Sequence, residues 1–279
     1  MGSASAAAPR IAVHGHRGSR GTRPENTLAA FKEALRVGVD VLELDLGVTK
    51  DGVVVVSHDP LINPVICSLP GGKPAEAAPL RTLTYAELSR YDCGSLRNPR
   101  FPRQVPSPGE RMPLLSEVFA LVKASTQPAA ARVELNMETK LLPGEPDLTV
   151  SPEEFAALLA AEIKASGFQN RVIVQSFDRR TLEALRRLAP KLRLSMLISD
   201  NLPDLGALAA AQRVDFISPD WLWITKADVD AVHAAGAKVA PWTVNDEKGW
   251  ARMVDFGVDA VITDYPEDLI VWLKAKGLR

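Results

Sequence analysis

Hydrophobic positions follow two alternating periods along most of the chain. Short runs rich in Val, Ile and Leu alternate with segments whose apolar positions recur every three to four residues, which predicts strands alternating with amphipathic helices. Strands are predicted at 11–13, 41–46, 53–56, 132–138, 172–175, 193–197, 215–218, 238–242 and 259–263. Helices are predicted at 26–37, 116–124, 151–166, 178–189, 203–212, 225–235, 246–256 and 266–276. Repeated strand–helix units favour an α/β fold, a closed (β/α)₈ TIM barrel.

The sequence predicts nine strands, one more than the eight that such a barrel needs. The segment 49–52, Thr-Lys-Asp-Gly, is too short for a crossover helix, so the strands 41–46 and 53–56 are predicted to form a hairpin. Its turn would place residue 58 roughly opposite residue 43. The pattern leaves open whether the barrel uses 53–56 as one of its own strands.

The segment from about 60 to 113 has no clear period. It is rich in Pro and Gly and contains only a short helical candidate near 85–91, which predicts an irregular insertion after His58-Asp59 in a single catalytic domain spanning 11–279. Residues 1–10 are rich in Ala and Ser, and we expect a disordered tag or the remnant of a cleaved leader. Both cysteines, at 67 and 93, lie in the insertion, either as a disulfide or as two free thiols.

Composition narrows the class of partner. The 33 Lys and Arg residues against 34 Asp and Glu give the 279-residue chain a formal net charge of −1, so the global basicity that drives non-specific nucleic-acid binding is missing and no nucleic-acid partner is expected. No apolar run approaches the roughly 18 residues of a membrane span, so no integral membrane segment is expected. The pattern does not set an oligomeric state.

Acidic residues occur inside two of the predicted strands. Glu43 and Asp45 are two positions apart, so their side chains share one face of the strand, which we expect to be the barrel interior. Glu138 and Lys140 share a face in the same way. Buried carboxylates need a cation, either Arg and Lys in a structural ion pair or a metal. Three carboxylates without cysteine or additional histidine nearby would favour Mg²⁺ or Ca²⁺ over zinc.

Two histidines follow predicted strands directly. His16 comes after 11–13 and His58 after 53–56, which makes them a candidate acid/base pair on the carboxylate side of the barrel. Arg17 and Lys140 beside a hard cation would suit a phosphate. His14 is given no role, and His233 lies in a helical pattern typical of a surface or packing residue.

Several short motifs together resemble the glycerophosphodiester phosphodiesterase family. The resemblance covers about 11–273 and is specific because the motifs keep the family's order and spacing. They are His16-Arg-Gly18, Pro24-Glu-Asn-Thr27, Glu43-x-Asp45, Thr49-Lys-Asp-Gly52, His58-Asp59, Glu138-x-Lys140, Gln175-Ser-Phe177, Trp242-Thr-Val-Asn245 and Gly257–Asp264. On its own, the second motif is also typical of a helix entrance capped by Asn26 or Thr27.

The resemblance implies a TIM barrel that hydrolyses glycerophosphodiesters, such as glycerophosphocholine or glycerophosphoethanolamine, to glycerol 3-phosphate and an alcohol through a cyclic phosphate. It implies one divalent metal, Mg or Ca, and a small-molecule phosphodiester partner. The implied roles are acid/base catalysis by His16 and His58, metal binding by Glu43, Asp45 and Glu138, phosphate binding by Arg17 and Lys140, and a substrate pocket with Phe177 and Trp242.

The resemblance is closest to the family's periplasmic or secreted bacterial branch, so export is expected, with a cytoplasmic location if no leader was removed. Two other functions remain open from the residues. A barrel metallohydrolase of the amidohydrolase type would share His14-Gly-His16 and Asp264, but 172–175 and 193–197 lack the histidines it needs. A barrel that binds a phosphodiester without cleaving it would have lost a catalytic group, and no such loss is visible.

Overall fold

Eight parallel strands form a barrel in this computed structural model, which describes residues 10–279. The strands of the described residues are β1 (Ala12–Gly15), β2 (Val41–Val48), β3 (Val54–Val56), β4 (Ser68–Leu69), β5 (Lys73–Pro74), β6 (Glu134–Thr139), β7 (Val172–Ser176), β8 (Arg193–Ile198), β9 (Phe216–Pro219), β10 (Lys238–Val239) and β11 (Ala260–Thr263). The barrel strands pair in the order β10-β9-β8-β7-β6-β2-β1-β11. Backbone hydrogen bonds from Asp259 N to Val239 O and from Ile262 N to Pro241 O, both 3.0 Å, join the two ends. The predicted TIM barrel is confirmed.

The helices lie close to their predicted positions. Thr27 is the N-cap of the first, because its side chain accepts a hydrogen bond from Ala30 N, so this helix begins two residues later than predicted. The helices are α1 (Leu28–Val37), α2 (Tyr85–Leu88), α3 (Leu115–Ala124), α4 (Pro152–Ser166), α5 (Arg179–Leu188), α6 (Leu205–Gln212), α7 (Lys226–Ala234), α8 (Glu247–Phe256) and α9 (Pro266–Ala275). None of those in residues 10–279 is long and apolar enough to cross a membrane.

Strand β3 is not one of the eight barrel strands. It pairs antiparallel with the end of β2, with Leu46 opposite Val56 and Val48 opposite Val54, so the predicted hairpin is present. This register would place residue 58 opposite 44, one position from the predicted 43, because the turn is centred on residue 51. Strand β10 ends earlier than predicted, at Val239, although Ala240 N and Trp242 N still donate to Ile217 O and Pro219 O of β9, both at 3.0 Å.

The two faces of β2 separate the core from the barrel interior. Leu42, Leu44 and Leu46 are fully buried and belong to the apolar core that also contains residues of the surrounding helices. Glu43 and Asp45 alternate with them on the inward face. This alternation was predicted from the sequence, and it places carboxylates where a barrel usually has apolar side chains.

The insertion between β3 and α3 has a small apolar core of its own. Its members include Ile62, Leu80 and Leu88, and they surround a disulfide bond between Cys67 and Cys93. Of the two states left open by the sequence, the disulfide is therefore the one present. Strands β4 and β5, each two residues long, pair antiparallel as a short hairpin. Helix α2 corresponds to the helical candidate predicted near 85–91. The predicted tag or leader remnant lies, except for Arg10, outside the described residues.

Candidate active site

Three carboxylates meet inside the barrel at the carboxyl end of two neighbouring strands. Glu43 and Asp45 project from β2 and Glu138 from β6, with Asp45 and Glu138 paired in register. One oxygen of each lies within 4.8 Å of the others, and the residues are only 1%, 1% and 5% exposed. Such a concentration of buried negative charge requires cations nearby.

Two basic side chains neutralise part of this charge. Lys140 Nζ lies 2.6 Å from Glu138 Oε1 and 3.2 Å from Asp45 Oδ1. Arg17 Nε lies 3.2 Å from Asp45 Oδ2, and its Nη1 donates a hydrogen bond to Glu25 Oε1 at 2.6 Å. Asp45 Oδ1 is nevertheless buried without a hydrogen bond, because the Lys140 ammonium approaches it outside hydrogen-bonding geometry. The carboxylates are thus only partly neutralised by the chain itself.

The surroundings move the pKa values of the carboxylates apart. Burial, with the charge of Asp45, raises the pKa of Glu43 well above its ordinary value. Burial also raises the pKa of Glu138 to about 7, against the attraction of Lys140. Burial opposes ionisation of Asp45 as well, but Lys140 and Arg17 outweigh it and hold its pKa well below the ordinary value. A further cation would favour the ionised form of all three.

The loop after β1 positions two of the carboxylates through unusual backbone conformations. Arg17 has a φ of +49° and its backbone N–H donates to Glu43 Oε2 at 2.8 Å. Asn26 has a φ of +56° and its side-chain amide donates to Asp45 Oδ2 at 2.9 Å. Left-handed backbone is uncommon for such residues and tends to occur at functional sites. The helix-cap interpretation therefore applies to Thr27, whereas Asn26 contacts the carboxylate cluster.

His16 is held by a carboxylate from the last strand of the barrel. Its Nδ1 lies 2.7 Å from Asp264 Oδ1. Arg20 donates to both Asp264 oxygens, at 2.8 and 2.9 Å, and Asn245 Nδ2 donates to Oδ2 at 2.7 Å. The other ring nitrogen, Nε2, faces Glu43 Oε2 at 3.9 Å. Burial, with the positive charge of Arg20, lowers the pKa of His16 to about 4, so its ring is neutral at pH 7.

His58 has a similar arrangement in a more open position. Its Nδ1 lies 2.8 Å from Asp59 Oδ1, and Asn63 Nδ2 donates to Asp59 Oδ2 at 2.8 Å. The side chain of His58 is 33% exposed, against 11% for His16. Each histidine therefore has its Nδ1 engaged by a carboxylate, which leaves Nε2 as the ring nitrogen able to exchange a proton.

These groups surround one cavity of about 320 Å³ at the carboxyl end of the barrel strands. Phe177 and Trp242 form an aromatic wall, with ring centroids 5.6 Å apart and ring planes at 87°. Trp221 instead packs against the apolar core. Of the predicted site residues, only Asp45 lies behind the lining. The lining residues are His16, Arg17, Arg20, Glu43, His58, Arg100, Glu138, Lys140, Gln175, Phe177, Leu197, Trp242, Thr243 and Ile262.

The sequence profile of the glycerophosphoryl diester phosphodiesterase family matches residues 16–268. The chain belongs to this family. It is 31% identical over 265 residues to the glycerophosphodiester phosphodiesterase of Caldanaerobacter subterraneus subsp. tengcongensis, with 95% of this chain and 98% of that protein covered. It is 30% identical to the glycerophosphodiester phosphodiesterase of Bacillus altitudinis, with 91% and 95% covered.

Solved structures support the family membership at the level of the fold. A Silicibacter pomeroyi protein, described as a candidate glycerophosphoryl diester phosphodiesterase, is 31% identical with a TM-score of 0.90, covering 96% of this chain and 95% of that one. An Oleispira antarctica phosphodiesterase in complex with the product sn-glycerol-3-phosphate is 24% identical with a TM-score of 0.78, covering 95% and 97%. At that identity the second likeness concerns the fold alone.

Several residues that contact the carboxylates or His16, or that line the cavity, were given no role in the sequence analysis. Asp264 and Gln175 stood in the quoted motifs, but their contacts depend on barrel closure and strand order. Gln175 Nε2 donates to Glu43 Oε1 at 2.9 Å, and Asn136 Nδ2 donates to Gln175 Oε1 at 2.8 Å. The position of Asp264 and Gln175 at strand ends was the signal available. Arg100 in the insertion had no such signal.

The donor set of this family member fits a divalent cation. Glu43, Asp45 and Glu138 offer only carboxylate oxygens, which are the ligands that Mg²⁺ and Ca²⁺ prefer. The buried Asp45 Oδ1 without a hydrogen bond is an acceptor available to such an ion. The raised pKa values of Glu43 and Glu138 are consistent with carboxylates that a cation would ionise. These residues could therefore hold the metal expected from the sequence.

Proposed function

We propose that this protein hydrolyses glycerophosphodiesters to glycerol 3-phosphate and an alcohol, using one divalent metal. The observation that carries this proposal is one cavity lined both by two carboxylate-held histidines, His16 and His58, and by two members of the three-carboxylate cluster. A scaffold that only binds a phosphodiester would have no need for two histidines with their Nε2 atoms left free.

The metal would be held by Glu43, Asp45 and Glu138. When bound, Mg or Ca would draw electron density from the phosphoryl oxygens and offset the charge that develops there. Lys140 and Arg17 line the same cavity and would bind phosphate oxygens there while keeping their ion pairs with the carboxylates. Positive charge placed in advance around phosphorus is the main way a protein accelerates this chemistry.

We propose that the two histidines move the protons of two successive displacements. A glycerol hydroxyl of the substrate forms a bond to phosphorus, one histidine accepts its proton, and the bond to the alcohol oxygen breaks as the other histidine protonates it. Water then opens the resulting cyclic phosphate with the proton transfers reversed, which yields glycerol 3-phosphate. Asp264 and Asp59 would keep His16 and His58 in the tautomer that leaves Nε2 available.

The aromatic wall is the proposed site for the alcohol part of the substrate. Trp242 is fixed by the hydrogen bond from its Nε1 to Ser218 O at 2.8 Å, and Phe177 stands against it with 44% of its surface exposed. An aromatic face attracts the ammonium group of choline or ethanolamine by cation–π contact. Glycerophosphocholine and glycerophosphoethanolamine are therefore the substrates to try first.

The decisive measurement is hydrolysis of glycerophosphocholine with and without EDTA. We expect release of glycerol 3-phosphate, loss of this activity in EDTA, and recovery with Mg²⁺ or Ca²⁺. Binding of the diester without product would support the non-catalytic barrel, and full activity in EDTA would contradict the metal role.

The acid/base assignment is tested by three single variants. His16→Ala and His58→Ala should each lose at least about a hundredfold in kcat, a typical contribution of such a group. His233→Ala is the matched control, because its ring contacts Asp259 outside the cavity and its kcat should equal that of the wild type. Near-wild-type rates in both of the first two variants would refute the mechanism.

We also propose that the protein works in an oxidising compartment, the periplasm or the outside of the cell. The Cys67–Cys93 disulfide supports this, since such bonds persist mainly where the environment is oxidising. Fractionation of the source cells, with antibody detection of the protein, would test it, and recovery in the cytoplasmic fraction alone would contradict it.

A further inference from the structure

Four basic side chains line the cavity, and three of them are already paired with carboxylates. Arg17 contacts Glu25 and Asp45, Lys140 contacts Asp45 and Glu138, and Arg20 contacts both oxygens of Asp264. The fourth is Arg100. Within residues 10–279 its guanidinium has neither an ion pair nor a hydrogen bond, although it lines the same cavity.

The segment that carries Arg100 is firmly attached to the loop after β1. Gln104 Nε2 donates to the carbonyl oxygens of Arg20 and Arg23, at 2.8 and 2.9 Å. The ring of Phe101 is buried beneath the guanidinium of Arg20, 4.6 Å from the ring centroid.

Within this segment the backbone on either side of Arg100 is fixed as well. Asn98 N donates to Gln104 Oε1 at 3.0 Å, and Arg100 N donates to Asn98 Oδ1 at 3.1 Å. The insertion therefore presents this guanidinium from an ordered backbone, so a ligand group that meets it pays little cost for ordering the loop.

Depth in the cavity determines which part of a substrate Arg100 can meet. The carboxylates that would hold the metal are at most 5% exposed, and the side chains of Arg17, Arg20 and Lys140 are 10–17% exposed. Arg100, by contrast, is exposed at the mouth. A phosphodiester whose phosphate reaches the buried end extends one of its two ester arms towards this mouth.

We propose that Arg100 is a specificity-determining residue that favours glycerophosphodiesters whose head group carries a carboxylate. This inference rests on the proposed function. An unpaired guanidinium forms charge-assisted, bidentate hydrogen bonds with a carboxylate. The aromatic wall of Phe177 and Trp242 lines the same cavity and would take an ammonium group, so a head group with both charges, as in a phosphoserine diester, offers a partner to each.

Two substrates that differ by one carboxylate test this assignment. We would measure kcat/KM for glycerophosphoserine and for glycerophosphoethanolamine with the metal-loaded enzyme. The wild type should prefer the serine diester, and Arg100→Gln should reduce the serine-to-ethanolamine ratio at least about tenfold, the range expected for one charge-assisted hydrogen bond. Arg100→Lys keeps the charge and should retain part of the preference. Added salt should lower the wild-type ratio, because the group is exposed.

Arg97→Gln is the matched control. Arg97 lies in the same segment, is exposed, and directs its Nη1 to Pro102 O at 3.4 Å without lining the cavity, so its ratio should equal that of the wild type. A fall of both rates with an unchanged ratio in Arg100→Gln would assign Arg100 to the phosphate and overturn the proposal. An unchanged ratio with unchanged rates would overturn it too. If the wild type hydrolysed neither diester, the proposed function would be refuted, and this inference with it.

Discussion

Asp264 illustrates how a residue away from the reacting atoms can control a proposed catalytic group. It accepts hydrogen bonds from His16, Arg20 and Asn245. Burial opposes ionisation of Asp264, but the hydrogen bond and electrostatic attraction of His16, with those of Arg20, keep the pKa of its carboxyl far below the ordinary value. An ionised carboxylate in this position holds the Nδ1 proton of His16 and so keeps Nε2 directed at Glu43.

We therefore expect Asp264→Asn to lower kcat by roughly a hundredfold while the protein remains folded, because the amide no longer fixes the tautomer of His16. Steady-state hydrolysis of glycerophosphocholine, with circular dichroism as a check of folding, is the measurement. Asp59→Asn is the comparison. The side chain of His58 is 33% exposed and can reorient in solvent, so Asp59→Asn should lower kcat less than Asp264→Asn does. A larger loss of kcat in Asp59→Asn would contradict this account.

His14 affects how the stability of the protein depends on pH and has no part in the proposed chemistry. His14 is only 2% exposed, and its Nδ1 has no hydrogen bond within the described chain. Burial lowers its pKa from about 6.5 to about 4, against the attraction of Asp40. As the pH falls below 6.5, the unfolded chain takes up a proton at this position and the folded chain does not, so stability decreases until the pH reaches about 4.

The expected size of this effect is about 2 kcal/mol between pH 7 and pH 5. Urea unfolding of the wild type and of His14→Gln at both values measures it. His16 contributes in the same direction in both proteins, so the difference between their pH dependences isolates His14. Equal pH dependences would show that folding leaves the pKa of His14 at its ordinary value.

The disulfide constrains the insertion between β3 and α3. Cys67 and Cys93 are 26 positions apart, and both line a small cavity together with His58, Asp59 and Asn63. A cross-link of this length removes conformations from the unfolded chain, and here it also supports the residues that hold one of the proposed catalytic histidines.

We expect the double variant Cys67→Ser, Cys93→Ser to lose about 3 kcal/mol of unfolding free energy and several-fold in kcat. Urea unfolding and steady-state kinetics measure the two effects. Wild-type protein treated with a reductant should behave like the variant. If reduction left both quantities unchanged, the insertion would be held by its apolar core alone.

Most helices and strands of the barrel could be predicted from the sequence, for identifiable physical reasons. Barrel strands and helices carry regular periods, and the alternation in β2 alone placed Glu43 and Asp45 on the interior face. The insertion has no period, because irregular pairs such as Leu61 with Pro79 and Ser68 with Asp92 hold it together. Arg100 could not be found for this reason. The Asp264–His16 contact also required knowledge of how the barrel closes.

For the molecule as a whole, the carboxylate cluster links stability to metal binding. Placing Glu43, Asp45 and Glu138 inside the barrel costs free energy that a divalent ion would offset. An ion that binds only the folded chain stabilises it, by about 2.7 kcal/mol at a concentration a hundredfold above Kd.

We therefore expect Ca²⁺ or Mg²⁺ at such a concentration to raise Tm by roughly 5–10 °C. Differential scanning calorimetry with and without EDTA measures the shift independently of activity. Glu138→Gln should reduce the shift strongly, since it removes one of the three oxygen ligands. An equal shift in this variant would place the metal elsewhere.

The hydrogen bond between His16 and Asp264 joins residues 248 positions apart. During synthesis on the ribosome, β1 is the first of the eight barrel strands to emerge and β11 the last. His16 therefore lacks its carboxylate until β11 has been translated. We expect activity to appear only at that stage, so a prematurely terminated chain would leave phosphodiesters intact in the cell even if its earlier strands had folded.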